Sequence, residues 1–275
     1  MSIDDLRAAQ KAQAALKTLA PDIRCEPCDL NGVPGEWVSA PEAAADRVLL
    51  YFHGGGYYRG AIDTVREMVS RMSRAAGVRA LPIDYRLAPE YPFPAAVEDT
   101  LTAYRWLLDH DYQPRNIAIG GDSAGGGLTM ALLIEARDQG LQLPAAGICL
   151  SPWVDLTQSG NSYTTKAAED PSITKAYLDK YADLYLQGAD PKSPLASPLF
   201  ADLHGLPPLL IQVGTAEVLL DDAVALAARV RTAGVTVELD EWDRMTHVWQ
   251  NNGAELPESQ EAIARIGTFI KQCLG

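Results

Sequence analysis

The sequence predicts an α/β fold built on a mainly parallel sheet covered by helices. Three observations carry that expectation. From residue 46 onward, short β-rich apolar runs alternate with longer helical patterns. Gly77, Gly140 and Gly234 fall just past three of the helical stretches, where a left-handed capping residue belongs. One interval, from the run ending at Ser151 to the run starting at Leu209, is too long for a single crossover helix and implies an insertion.

In chain order, an amphipathic stretch over 3 to 18 predicts an N-terminal helix ahead of the sheet. The β-rich runs follow as RVLLYFH (47–53), VRALPID (78–84), NIAIG (116–120), AGICLS (146–151), LLIQVG (209–214) and VTVELDEW (235–242). Helical patterns near 64–76, 95–109, 124–138, 221–233 and 257–273 separate and close them. The insertion, about Asp155 to Ser197, holds a helical pattern over 173–186 and a Pro-rich return, ADPKSPLASPL, and reads as a lid. The N-terminal helix is positioned to pack with it over one edge of a site. The division expected is therefore 1–35 as the N-terminal part of a cap, 36–154 and 198–275 as the core, and 155–197 as the cap insertion.

The 275 residues suffice for one large domain with a substantial core. With 47% hydrophobic and 21% charged residues the composition is that of a globular chain, and no apolar run approaches the roughly 18 residues of a membrane helix. The N-terminus lacks the positive flank and apolar run of a secretory signal, so a soluble, cytoplasmic protein is expected. A net charge of −13 argues against nucleic acid as a partner, because phosphate binding depends on clustered Lys and Arg. Cys25 and Cys28 form C-x-x-C, but neither a thioredoxin-like context nor further zinc-ligand spacing accompanies them. Pro21 and Pro27 suggest an irregular loop there, and the four cysteines read as plain thiols with no metal bound.

Gly121-Asp122-Ser123-Ala124-Gly125 fits G-x-S-x-G and stands between the run NIAIG and a helical pattern, the context a nucleophile elbow needs. Small residues two before and two after the serine let strand and helix approach. The serine projects at a helix N-terminus, where free N–H groups favour developing negative charge. A phosphate-binding turn is the alternative, but GGDSAGGG has neither a P-loop lysine nor G-x-G-x-x-G. Upstream, His53-Gly54-Gly55-Gly56 follows a strand directly, as an oxyanion loop does. Gly54, Gly55 and the N–H of Ala124 are the expected donors, each typically worth about 3 kcal/mol in the transition state. His53, ahead of the glycines, is read as holding the loop.

A serine hydroxyl needs a neighbouring imidazole, so the base is one of His53, His110, His204 and His247. In the order Ser, acid, His, each on a loop after a strand, His247 sits where the base belongs, between VTVELDEW and the last helix. The acid should follow LLIQVG, and Glu217 is nearest that strand end. Asp221 and Asp222 open a helix, where carboxylates cap free N–H groups, and Asp243 is only four residues before His247. Glu217 is assigned. Tyr57, Tyr58 and Trp249, beside the motifs, are candidates for lining an acyl or alcohol pocket, with plain packing the competing reading.

With HGGG (53–56), DYRLAPEYPFPAAVED (84–99), GDSAGGG (121–127), GTAEVLLDD (214–222) and the histidine of MTHVWQ (245–250), the chain resembles the hormone-sensitive-lipase-like carboxylesterases, bacterial family IV, over essentially its whole length. The resemblance implies an α/β-hydrolase fold with a sheet of about eight strands and a small helical cap. It further implies no cofactor and a small-molecule ester with a short acyl group as substrate. Many members carry aspartate in a D-P-L setting where this chain has Glu217-Val218-Leu219, which keeps Asp221 as the fallback acid. Asp84, Arg86 and Glu90 of the second motif are expected to support loops. A lactone or amide hydrolase with the same triad is the rival activity, and a non-catalytic binding protein the rival class. The edge strand VTVELDEW is a candidate surface for a homodimer.

Overall fold

A computed structural model of the chain describes residues 2–274. Eight strands, β1 (Arg24–Leu30), β2 (Val33–Ser39), β3 (Ala44–Phe52), β4 (Val78–Ile83), β5 (Ile117–Asp122), β6 (Ala146–Leu150), β7 (Leu209–Gly214) and β8 (Val237–Trp242), form one sheet in the order β1-β2-β4-β3-β5-β6-β7-β8. From β4 to β8 all neighbours are parallel, whereas β2 is antiparallel to both β1 and β4. The helices are α1 (Ile3–Ala14), α2 (Ile62–Ala76), α3 (Ala95–Asp109), α4 (Ala124–Asp138), α5 (Ser162–Thr165), α6 (Lys175–Leu186), α7 (Leu220–Thr232) and α8 (Pro257–Leu274).

The parallel strands are apolar throughout because both faces are covered. Along β3, Val48, Leu50 and Phe52 enter the core shared with α3, α4 and α7, while Leu49 and Tyr51 enter the one formed with α2 and α8. Gly77, Gly140 and Gly234 follow α2, α4 and α7 with φ of 69°, 69° and 74°, the left-handed geometry expected of them.

Two parts of the N-terminal region differ from expectation. Cys25 and Cys28 lie on β1 and not in an irregular loop, because β1 is an edge strand. An edge has one side with no ladder to feed, so Pro27 fits there without costing a hydrogen bond. Residues 24–39 thus complete the sheet, and the boundary drawn at 35 falls inside β2. The arm ahead of the sheet is essentially α1, which stops at Ala14. Arg7 docks it, donating to the carbonyls of Tyr58 (2.8 Å) and Ala88 (2.9 Å) and pairing with Glu90 (2.7 Å).

The chain runs from β3 outward to β4 and then returns past β3 to β5, so a crevice opens beyond the carboxyl ends of β3 and β5. The insertion between β6 and β7 carries α5 and α6. Buried Asp222 fastens it: its Oδ2 accepts the N–H groups of Val154 and Asp155, both 3.0 Å, and its Oδ1 the Tyr163 hydroxyl at 2.7 Å.

Candidate active site

Ser123 is the single residue between the end of β5 and the start of α4. Its φ of 54° and ψ of −117° are strained for a residue with a side chain. The surroundings hold that geometry: Ser123 N donates to Leu150 O (2.8 Å), and Ser123 O accepts from Gly126, Gly127 and Trp153 N–H at 3.0 to 3.2 Å. A Cβ on Gly121 would overlap the carbonyl of Gly125, and one on Gly125 the carbonyl of Phe52. The strand-to-helix approach therefore requires both glycines, as the spacing around the serine predicts.

The glycine loop follows β3 and faces the same crevice, with Gly54, Gly55, Gly56, Ser123 and His247 all lining one cavity of about 820 Å³. Gly55 has a φ of 126° and Gly56 of 63°, and a Cβ on Gly55 would overlap the carbonyl of Arg59. The Gly54 backbone N–H supports the buried Asp122 carboxylate. Burial raises the pKa of Asp122, while the Tyr51 hydroxyl, donating at 3.0 Å, and nearby imidazoles oppose the rise. His53 has the loop-holding geometry the sequence suggests. It is buried, stacks on Tyr85 with centroids 4.3 Å apart, and bonds Gly54 O through Nδ1 at 2.8 Å. Desolvation lowers its pKa, which keeps the ring neutral.

His247 lies between β8 and the short helical turn at Trp249–Asn252. Its Nδ1 is 2.8 Å from Oε2 of Glu217, which is wholly buried beyond β7. Because a carboxylate accepts, Nδ1 carries the proton and Nε2 is left as the basic nitrogen. Glu217 Oε1 takes two further bonds, from Gly214 N (2.8 Å) and the Ser151 hydroxyl (2.7 Å). Burial alone would lower the His247 pKa; the bond to Glu217 and its charge, with more distant Asp170 and Asp122, outweigh that and raise it.

The other carboxylates considered for the acid lie elsewhere. Asp221 accepts from Ser162 N at 2.9 Å, Asp222 serves the insertion, and Asp243 is exposed beside Arg244. His110 bonds its own helix at Trp106 O (2.8 Å), and exposed His204 pairs with Asp202 (2.6 Å).

Tyr57, Tyr58 and Trp249 are buried away from the cavity walls. Tyr57 stacks on Tyr185 (3.9 Å), whereas Tyr58 packs tilted against Tyr181 (4.3 Å) and Trp249 against Trp242 (5.6 Å). Their side chains turn into the core, and the apolar lining comes instead from Ile173, Leu178 and Tyr181 of the insertion and Leu16 past α1.

Two contributors escaped the sequence reading. Ser151, at the end of β6, joins Glu217 to the His247 loop by accepting from Val248 N at 3.1 Å. Its signal is a polar residue at the carboxyl end of a strand beside the nucleophile strand. Asp170 in the insertion accepts from Val218 N at 2.9 Å and so ties the insertion to the Glu217 loop. No local pattern marks that long-range bond.

Residues 49–251 match the α/β-hydrolase fold family. The chain is 48% identical to an acetyl-hydrolase of Streptomyces hygroscopicus over 240 residues, 87% of this chain and 80% of that one. It is 34% identical to an esterase of Acinetobacter venetianus over 250 residues, 90% and 82% of the two chains. Among solved structures it resembles an esterase of the bacterial hormone-sensitive lipase family, with a TM-score of 0.99 and 55% identity over 100% of this chain and 93% of the other. The esterase EstE5, from crystals soaked with p-nitrophenyl butyrate, superposes with a TM-score of 0.96 at 48% identity, covering 100% and 92% of the two chains.

Proposed function

The chain belongs to the hormone-sensitive-lipase-like esterases of the α/β-hydrolase family, and from that membership we propose that it cleaves short-chain acyl esters through Ser123, His247 and Glu217. The observation that carries the reading is the 2.8 Å contact between His247 Nδ1 and the buried Glu217 carboxylate, on the wall of the cavity into which the elbow serine opens. His247 Nε2 takes the Ser123 proton as Oγ attacks the ester carbonyl, and the imidazolium then protonates the leaving alcohol oxygen. Water, activated by the same nitrogen, releases the acid from the acyl-serine. Glu217 accepts from His247 Nδ1 and holds the ring in the productive tautomer.

The oxyanion is received by backbone N–H groups. Ala124 and Gly55 are the donors we propose from the expected set; Gly54 is drawn to Asp122, which favours Gly56 as the third. The insertion over 155–197, with α1, acts as the cap. The reading includes a small-molecule ester as substrate, a cytoplasmic location, and a homodimer through the exposed β8 edge, which sedimentation would detect. Among the described residues no helix is long and apolar enough to cross a membrane.

Ser123→Ala should abolish hydrolysis of p-nitrophenyl butyrate while leaving the thermal transition intact. Turnover retained within about tenfold of the parent would overturn the assignment, since losing a triad nucleophile costs about 10⁶ in kcat.

A further inference from the structure

The cavity above Ser123 has walls of two kinds. Ile173, Leu178 and Tyr181 of the insertion make one side apolar, and Tyr181 lies against Gly56, where a Cβ would meet its ring at 2.9 Å. The other side, built from the end of α1 and the segment beyond His247, sets the hydrogen-bonding groups of Gln13, Lys17, Asn251 and Glu255 among the smaller apolar surfaces of Ala14, Leu16 and Ala254. This second wall is tied in place. Lys17 Nζ donates to Asn251 O (2.9 Å) and Oδ1 (2.5 Å), and Asn251 Nδ2 donates to Thr64 O (3.2 Å). An ammonium has three donors, so Lys17 keeps one for a ligand.

The reaction decides which wall meets which half of an ester. The carbonyl oxygen must face the glycine loop, and the leaving oxygen must lie where His247 can protonate it. The alcohol therefore departs along the segment continuing from His247, the side that carries Lys17, Gln13 and Asn251, and the acyl chain lies toward Tyr181. Charge in the cavity is mixed. Lys17 and Arg59 offset Asp122 and Glu255, while Glu67 is paired with Arg71 at 2.8 Å. A mixed field favours neutral groups over ions of either sign. A site meant for an alkyl or diacylglycerol alcohol would not gather a lysine, two amides and a carboxylate on that side.

We infer that the preferred substrate is the short acyl ester of a neutral, hydroxyl-rich alcohol, a polyol or sugar, recognised by Lys17, Asn251 and Gln13. This rests on the ester-hydrolase reading above. The acyl-serine is identical for all alcohols of one acid, so discrimination belongs in kcat/KM, which reports acylation, and not in deacylation.

The test is kcat/KM for glycerol 1-monobutyrate and methyl 6-O-butyryl-glucoside against hexyl and benzyl butyrate, in the parent enzyme and in Lys17→Met and Asn251→Leu. We expect a preference of at least about tenfold for the polar alcohols, falling by most of that factor in both variants. The ratio is taken within each enzyme, so a folding defect, which lowers both rates alike, does not mimic the effect. Equal or reversed preference in the parent overturns the inference, as does a preference that both variants retain. If neither series is turned over and Ser123 is not labelled by a fluorophosphonate, the esterase reading fails and this inference with it.

Discussion

At the scale of single residues, Glu217 and His247 carry most of the account. Glu217→Gln should lower kcat by about 10³ to 10⁴, as loss of the orienting acid does elsewhere, whereas Asp221→Asn should leave it within about threefold. The two pH profiles sharpen this. His247 must be neutral to accept the serine proton, and its pKa is raised above the ordinary histidine value, chiefly by Glu217 working against burial. The acid limb of kcat/KM should therefore fall above about pH 6.5 in the parent and move to lower pH in Glu217→Gln. Sequence could nominate Glu217 because strand order puts the acid loop after β7, and could demote Asp221 because it opens a helix. It could not show Ser151 or Asp170, whose contacts with the same loop join segments 66 and 48 residues apart. Nor could it tell which way Tyr57, Tyr58 and Trp249 face, since aromatic residues beside a motif serve the core and the cavity equally well.

At the scale of elements, the elbow shows how far local chemistry reaches. Gly125 is required because strand β3 passes directly beneath the turn, with the Phe52 carbonyl where a Cβ would be. Backbone on both sides leaves nothing flexible to yield, so Gly125→Ala should destabilise the fold by at least about 1–3 kcal/mol in urea unfolding. It should also cost activity even where folding persists, because the serine shifts with the turn. The strands and the longer helices from β3 onward were legible, since both follow from apolar periodicity and glycine stops, whereas the four-residue α5 was not. The strands β1 and β2 were not. The prolines of both strands and the exposed edge residues of β1 imitate a loop, and only the pairing of Arg24 with Ser39 through to Leu30 with Val33 reveals a hairpin.

At the scale of the whole molecule, the insertion is joined to the core through a few buried polar contacts, Asp222 foremost. Burial raises its pKa to about 8, against the direct bonds it accepts. The folded state thus holds a proton that the unfolded chain releases near pH 4, so this group's contribution to stability declines as pH rises from about 4 to about 8. Asp222→Asn should flatten that slope in thermal unfolding, whereas Asp222→Ala, leaving Val154 N, Asp155 N and Tyr163 unpaired, should cost about 2–4 kcal/mol. The insertion's length and place were legible as a break in rhythm, but the cavity lining arises only when α1, α6 and the loop past His247 come together. All of this converges on one serine. Reaction with a fluorophosphonate, read by intact mass and peptide mapping, tests it most directly. The account predicts a single adduct on Ser123 that abolishes ester hydrolysis, with none formed in Ser123→Ala; an adduct elsewhere, or hydrolysis persisting in the fully labelled enzyme, would contradict it.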